Sequence, residues 1–136
     1  MGRRDPLPRE SLLGVQVLVI DDDPEACELL STILAYCGAL VTTSTSAQSG
    51  LARLSRVLPD VVVCDIVMAD QDGYWFLSEL QRLPGGRDVP VIALTGFDDA
   101  HGADRTLAAG FHGHVRKPID PWELARLVGA LARGGP

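Results

Sequence analysis

Basic residues are in short supply. Twelve Lys and Arg face eighteen Asp and Glu, for a net charge of −6. Binding to a phosphate backbone rests on clustered cations, and here they are scattered, which argues against direct nucleic-acid binding. Arg3, Arg4 and Arg9 sit near one another but are interrupted by Asp5 and Glu10, the pattern of a solvated tail. Cysteine is scarce too. Cys27, Cys37 and Cys64 fit no metal-ligand spacing and cannot all pair with one another, so they read as small thiols in a reducing cytosol. No apolar stretch approaches a membrane span, and the first residues lack the apolar run of a signal peptide. A soluble, cytoplasmic protein that does not engage a membrane is expected.

What is there suffices for one globular domain. With 136 residues, 46% hydrophobic and 22% charged, the chain can bury a real core but is too short for two ordinary domains. Residues 1–14, with Pro6, Pro8 and Gly14 and no periodicity, read as an arm or linker. The folded domain is expected over 15–133, with 134–136 as a tail. Within it, strands and helices alternate. Val17–Ile20 is followed by Asp23, which can cap a helix with Pro24 in its first position and Ala26, Leu29, Leu30, Ile33 and Leu34 on one face. Gly38 can end that helix in a left-handed conformation. Leu40–Ser44 is a short strand. Ser46 can cap a second helix with Ala47, Gly50, Leu51, Leu54 and Leu58 inward, stopped by Pro59.

Val61–Cys64 is apolar without alternation, as expected of a strand covered on both faces. A loop from Asp65 to Gly73 leads to a helix with Phe76, Leu77, Leu80 and Leu83 inward, and Pro84-Gly85-Gly86 breaks the chain. Val91–Leu94 leads to Thr95 and a helix over about residues 99–109, its pattern weakened by Gly102 and closed by Gly110. A strand around His114–Arg116 precedes a helix opened by Asp120, Pro121 and Glu123, with Leu124, Leu127, Val128 and Leu131 inward. Right-handed crossovers then give an α/β fold: a five-stranded parallel sheet in the order 2-1-3-4-5, helices on both faces.

Four of these strands end on complementary polar residues: Asp21-Asp22, Asp65, Thr95 and Lys117. Ligand crevices in open α/β sheets form at the carboxyl ends of the strands. There the chain would gather three carboxylates, a hydroxyl and an ammonium, a set suited to a divalent cation with a phosphoryl group.

Val-Leu-Val-Ile-Asp21-Asp22-Asp-Pro-Glu, Asp65-Ile-Val-Met-Ala-Asp-Gln-Asp72-Gly73, Ala-Leu-Thr95-Gly96 and Val-Arg-Lys117-Pro118 together resemble, in order, the four signatures of the response-regulator receiver domains of two-component signalling. The resemblance covers about residues 15–133 and implies the flavodoxin-like receiver fold. It implies that Asp65 is the phosphoacceptor, taking a phosphoryl group from a histidine kinase or a histidine phosphotransfer protein. Such transfer asks for positioning and charge neutralisation more than covalent work. Asp22, Asp65 and the backbone carbonyl of Val67 would hold Mg²⁺ directly, and Asp21 would act mainly through a coordinated water. Three such carboxylates without the cation would repel one another and raise at least one pKa. Lys117 would pair with Asp65 at rest and with a phosphoryl oxygen afterwards. Thr95 and Gly96 would offer a hydroxyl and a backbone N–H, and Lys117-Pro118 would be a cis peptide.

Other polar residues have plainer readings. Asp23 reads as a helix cap, Asp70 and Asp72 as loop and helix-start residues, and Asp98 and Asp99 as a solvated turn. His112 and His114 lack a second ligand at metal spacing and are expected to be exposed or at a strand edge.

The chain departs from the family pattern in places. Ala69 stands where proline usually follows Met68, so that loop is expected to be less rigid. His114 occupies the position of the switch aromatic, commonly Tyr or Phe, which moves inward as the Thr95 hydroxyl turns to the phosphoryl group. A neutral imidazole buries less apolar area and is costly to bury when protonated. Coupling to the face of the fourth helix, fifth strand and fifth helix is therefore expected to be weaker or pH-sensitive. Equal activation shifts on that face in mild acid and mild base would count against the pH version. Val67 and Phe97 flank the path of the hydrolytic water in such domains, and an apolar pair should lengthen the phosphorylated lifetime.

The sequence leaves no evident output domain after the last helix, so the output is expected to be a surface read by another protein or an attached domain. The opening residues resemble the linker of receivers in hybrid histidine kinases; a stand-alone receiver, monomeric or dimeric, is the other arrangement. Competing classes are less well matched. A haloacid-dehalogenase-like phosphohydrolase needs an acid two residues after the nucleophile, where Val67 stands. A flavodoxin-like cofactor binder wants a phosphate loop where three aspartates follow the first strand. A receiver-like interaction module that is never phosphorylated is the remaining alternative.

Overall fold

The computed structural model describes residues 9–96 and 102–134. Strands and helices alternate along it: β1 (Gln16–Ile20), α1 (Pro24–Tyr36), β2 (Leu40–Ser44), α2 (Ala47–Leu54), β3 (Val61–Asp65), α3 (Gly73–Leu80), a 3-10 turn (Gly86–Asp88), β4 (Val91–Thr95), α4 (Gly102–Ala109), β5 (Gly113–Arg116) and α5 (Pro121–Ala132). The five strands form one parallel sheet in the order β2-β1-β3-β4-β5, the order expected from the sequence. Its reversal between β1 and β3 opens the crevice at their carboxyl ends.

Residues within each strand alternate between two cores. Val17, Val19, Val61, Val63, Ile92, Leu94 and Val115 face a cluster with Leu30 and Leu34 of α1 and Leu124 and Val128 of α5. Leu18, Ile20, Val62, Cys64, Val91 and Ala93 face a second cluster with Leu54, Phe76, Leu77 and Leu80. That two-sided cover explains the unbroken apolar runs of β3 and β4, buried at every position.

Local chemistry sets the ends. Asp23, Ser46, Asp72 and Asp120 each cap a helix by accepting a backbone N–H bond. Gly38 and Gly110 hold positive φ just after α1 and α4. Gly102 lies in the first turn of α4, buried, where its low helix propensity matters least. Residues 97–101 lie outside the described ones, so the expected helix start at 99 and the turn at Asp98 and Asp99 are not placed.

Several expectations are corrected. Leu29 is 57% exposed, because the inward stripe of α1 runs through Cys27, Leu30 and Leu34 instead. α2 stops at Leu54 rather than at Pro59: the Ser55 and Arg56 N–H groups turn to the Ala52 and Arg53 carbonyls, tightening the last turn, and Leu58 still packs on the core from the loop beyond. The stretch read as an arm also contributes to the core. Leu12 is buried, and its N–H donates to the Cys37 carbonyl at 2.8 Å. All three cysteines are free and buried, and burial raises the pKa of each thiol. Among the described residues no helix is long and apolar enough to cross a membrane.

Candidate functional site

Strand register assembles the site. Ile20 is level with Cys64, Asp65 with Leu94, and Thr95 with Arg116. Asp21 is therefore level with Asp65, and Thr95 and Lys117 lie one and two residues further along at the same carboxyl edge of the sheet. The Lys117 ammonium lies 3.3 Å from an oxygen of Asp65 and 3.4 Å from one of Asp21. One oxygen each of Asp21, Asp22 and Asp65 lie within 4.8 Å of one another. Asp21 is fully buried and Asp65 nearly so, whereas Asp22 is exposed, so the cluster is open on one side.

Burial and the neighbouring Asp21 push the Asp65 carboxyl above its ordinary range, against the pull of Lys117 and of the Val67 N–H. Burial alone would lower the Lys117 ammonium; Asp65 and Asp21 overcome it, and its pKa is raised. Lys117 is also the sole lysine of the chain. Its backbone N–H donates to the Thr95 carbonyl at 2.9 Å, and its bond to Pro118 is cis, as expected. One ammonium among three carboxylates leaves negative charge uncompensated. The oxygen-only donor set, open on one side, fits Mg²⁺, a hard cation that keeps several waters.

Thr95 is buried, and its Oγ1 lies 2.7 Å from Nε2 of half-buried His114. Gly96 follows directly at the end of β4. The Val67 side chain is 78% exposed.

Other contacts were not legible in the sequence. Asp21 is a direct partner of Lys117, and its Oδ1 accepts from the Asp23 N–H at 3.0 Å. The Ala69 N–H donates to Asp22 Oδ2 at 2.9 Å, a bond that proline there could not make. Asp70 accepts from the Ala47 and Gln48 N–H groups at the start of α2, 3.3 Å each. Burial pushes Asp70 up, but backbone N–H groups of Gln71, Gln48 and Ala47 outweigh it and lower its pKa. The loop expected to be loose for want of a proline is thus tied to Asp22 and to α2. No sequence spacing announces these pairs. Asp23, Asp72 and His112 behave as read, His112 Nδ1 accepting from the Val91 N–H at the sheet's margin. A cleft of about 540 Å³ lies elsewhere, lined by Gln16, Leu40, Arg53, Val57 and Pro59 near the start of β1 and β2.

Residues 17–129 match the profile of the response regulator receiver domain family. The chain belongs to that family. It is 38% identical over 119 residues to an uncharacterized 14.6 kDa protein in the sodA1 3' region of Leptolyngbya boryana, covering 88% of this chain and 91% of that protein. It is 36% identical to the probable transcriptional regulatory protein TcrX of Mycobacterium tuberculosis and 32% to the response regulator SaeR of Staphylococcus aureus, covering 88% and 85% of this chain. It spans only about half the length of those two regulators, 50% and 49%. A putative response regulator from Chloroflexus aurantiacus superposes with a TM-score of 0.84 at 27% identity, covering 88% of this receiver and 98% of that chain. The receiver domain of a signal transduction histidine kinase from Syntrophus aciditrophicus gives 0.81 at 30%, covering 89% and 92%.

Proposed function

We propose that this receiver takes a phosphoryl group onto Asp65 from a histidine kinase or a histidine phosphotransfer protein, and so changes a surface read by a downstream protein or an attached domain. The observation that carries the reading is the Lys117 ammonium at 3.3 Å from Asp65, beside a three-carboxylate cluster within 4.8 Å. An oxygen of Asp65 attacks phosphorus, the bond from phosphorus to the donor's imidazole nitrogen breaks, and an aspartyl phosphate forms. Lys117 holds the acceptor at rest and follows the charge onto a phosphoryl oxygen. Thr95 and the Gly96 N–H take the other phosphoryl oxygens, and Thr95 with His114 forms the switch toward α4, β5 and α5.

Asp21, Asp22, Asp65 and the Val67 carbonyl are the groups that would hold Mg²⁺, which when bound supplies neutralisation of phosphoryl charge. The burial that raises the Asp65 pKa also keeps bulk water from the acceptor. The exposed, apolar Val67 side chain orders water poorly beside the acyl phosphate and prolongs its life. The similarity to the response regulator SaeR and to receiver structures supports a signalling rather than a metabolic role.

Intact mass after incubation with acetyl phosphate and Mg²⁺ tests the reading. One phosphoryl group is expected on the wild type and none on Asp65→Asn. No mass gain on the wild type, or an equal gain on both, would reject it. In the same assay Val67→Asn is expected to lose its phosphoryl group faster, and an unchanged decay would reject the lifetime argument.

A further inference from the structure

Thr95 carries one hydroxyl proton and His114 carries nitrogens that either donate or accept, so the 2.7 Å contact between them can run in two directions. With Nε2 bare, the Thr95 hydroxyl donates to the imidazole and its only proton is engaged there. With hydrogen on Nε2, the imidazole donates to Oγ1, and the hydroxyl proton is left for another acceptor. Register fixes the pair. His114 is level with Ala93, and Thr95 lies two residues further along the same strand, so both side chains project from the same face of the sheet.

We propose that His114 is a positioning residue for phosphoryl capture: in the phosphorylated protein its Nε2–H donates to Thr95 Oγ1 and aims the hydroxyl proton at a phosphoryl oxygen. This rests on the reading of Asp65 as phosphoacceptor and Thr95 as phosphoryl ligand. A Phe ring in its place has no hydrogen to give, and the alignment would then rest on Thr95 alone. The chain of hydrogens runs from imidazole to hydroxyl to phosphoryl oxygen, with no covalent bond made or broken. His114 is half-exposed, so its hydrogen can move between ring nitrogens through solvent.

Nitrogen-15 NMR of the imidazole, on the whole chain with Mg²⁺ and beryllium fluoride as a stand-in for the aspartyl phosphate, reads the answer directly. His114 is expected to carry hydrogen on Nε2 in the loaded form. A bare Nε2 would overturn the inference while leaving the phosphoacceptor reading intact. If beryllium fluoride shifts no resonance around Asp65, both fall.

A double-mutant cycle on the rate of aspartyl phosphate formation from acetyl phosphate is the second measure. Thr95→Val and His114→Phe should each slow it by about 3- to 10-fold, the double variant no further than the slower single, and His114→Gln should stay within about twofold of wild type. Losses that multiply, or a wild-type rate in His114→Phe, would overturn it.

Discussion

On one face of the sheet lie α1 and α5, thirteen and twelve residues long, each entered through an aspartate cap and a proline; on the other lie α2 and α3, eight residues each, and α4, with eight among the described residues. The site draws on both. Asp21 and Asp22 lie between β1 and α1, and Lys117 between β5 and α5, so these three charges belong to loops that feed the long helices. Asp65 and Thr95 end strands whose chains run on into α3 and α4. The carboxylates and the ammonium that surround the acceptor are thus anchored beside α1 and α5. Asp65 shares its face with Val61 and Val63, toward α1 and α5, whereas Thr95 shares its face with Val91 and Ala93, toward the other helices.

Truncation of a core side chain on each face gives the largest expected effects. Phe76→Ala on α3 should destabilise by about 3–5 kcal/mol and Leu124→Ala on α5 by about 2–5 kcal/mol, since both side chains are fully buried. The informative readout is hydrogen exchange. Phe76→Ala should speed exchange in α2, α3 and α4 more than in α1 and α5. Uniform acceleration would erase the distinction between the faces.

Next in size is Gly73→Ala. A Cβ there would sit 2.8 Å from the Asp65 carbonyl oxygen and 3.0 Å from the Ile66 Cα, so backbone at the acceptor must shift. A loss of about 1–3 kcal/mol is expected from the overpacking. Slower phosphorylation of Asp65 should accompany it. Unchanged thermal stability and an unchanged phosphorylation rate would refute the claim that this close approach sets the acceptor's position.

The smallest effect is at Asp70. Its lowered pKa means that the carboxylate adds stability above the ordinary value of about 3.9, and that this is lost as pH falls through the lower folded-state value. The group is exposed, so screening holds the contribution below about 0.5 kcal/mol. The melting temperatures of wild type and Asp70→Asn should therefore differ slightly near neutrality and converge in acid. A gap that persists in acid would show that charge is not what anchors the loop to α2.

The same division of faces governs how much could be read beforehand. The ends of α1 and α5 carry strong local signals, a capping aspartate followed by proline, and the expected starts match. Short α2 reads as longer than it is, because Leu58 continues the apolar spacing and nothing in that spacing reveals that the Ser55 and Arg56 N–H groups turn to the Ala52 and Arg53 carbonyls. Leu29 reads as inward because a helical period cannot say where the buried arc stops. Leu12 reads as part of the arm because its burial depends on a contact with Cys37, twenty-five positions away.

By itself the sequence determined the strand order and the grouping of Asp21, Asp22, Asp65, Thr95 and Lys117. Apolar runs that end on polar residues, joined by right-handed crossovers, leave few ways to arrange a parallel sheet. Tertiary structure alone decided which of these groups touch: Lys117 shared between Asp21 and Asp65, Thr95 against His114, Ala69 and Asp70 tying the loop to Asp22 and α2. The reason is one of scale. Periodicity places a residue on a face and at a strand end, but a hydrogen bond is settled within a few tenths of an ångström, by the packing of segments far apart in the chain.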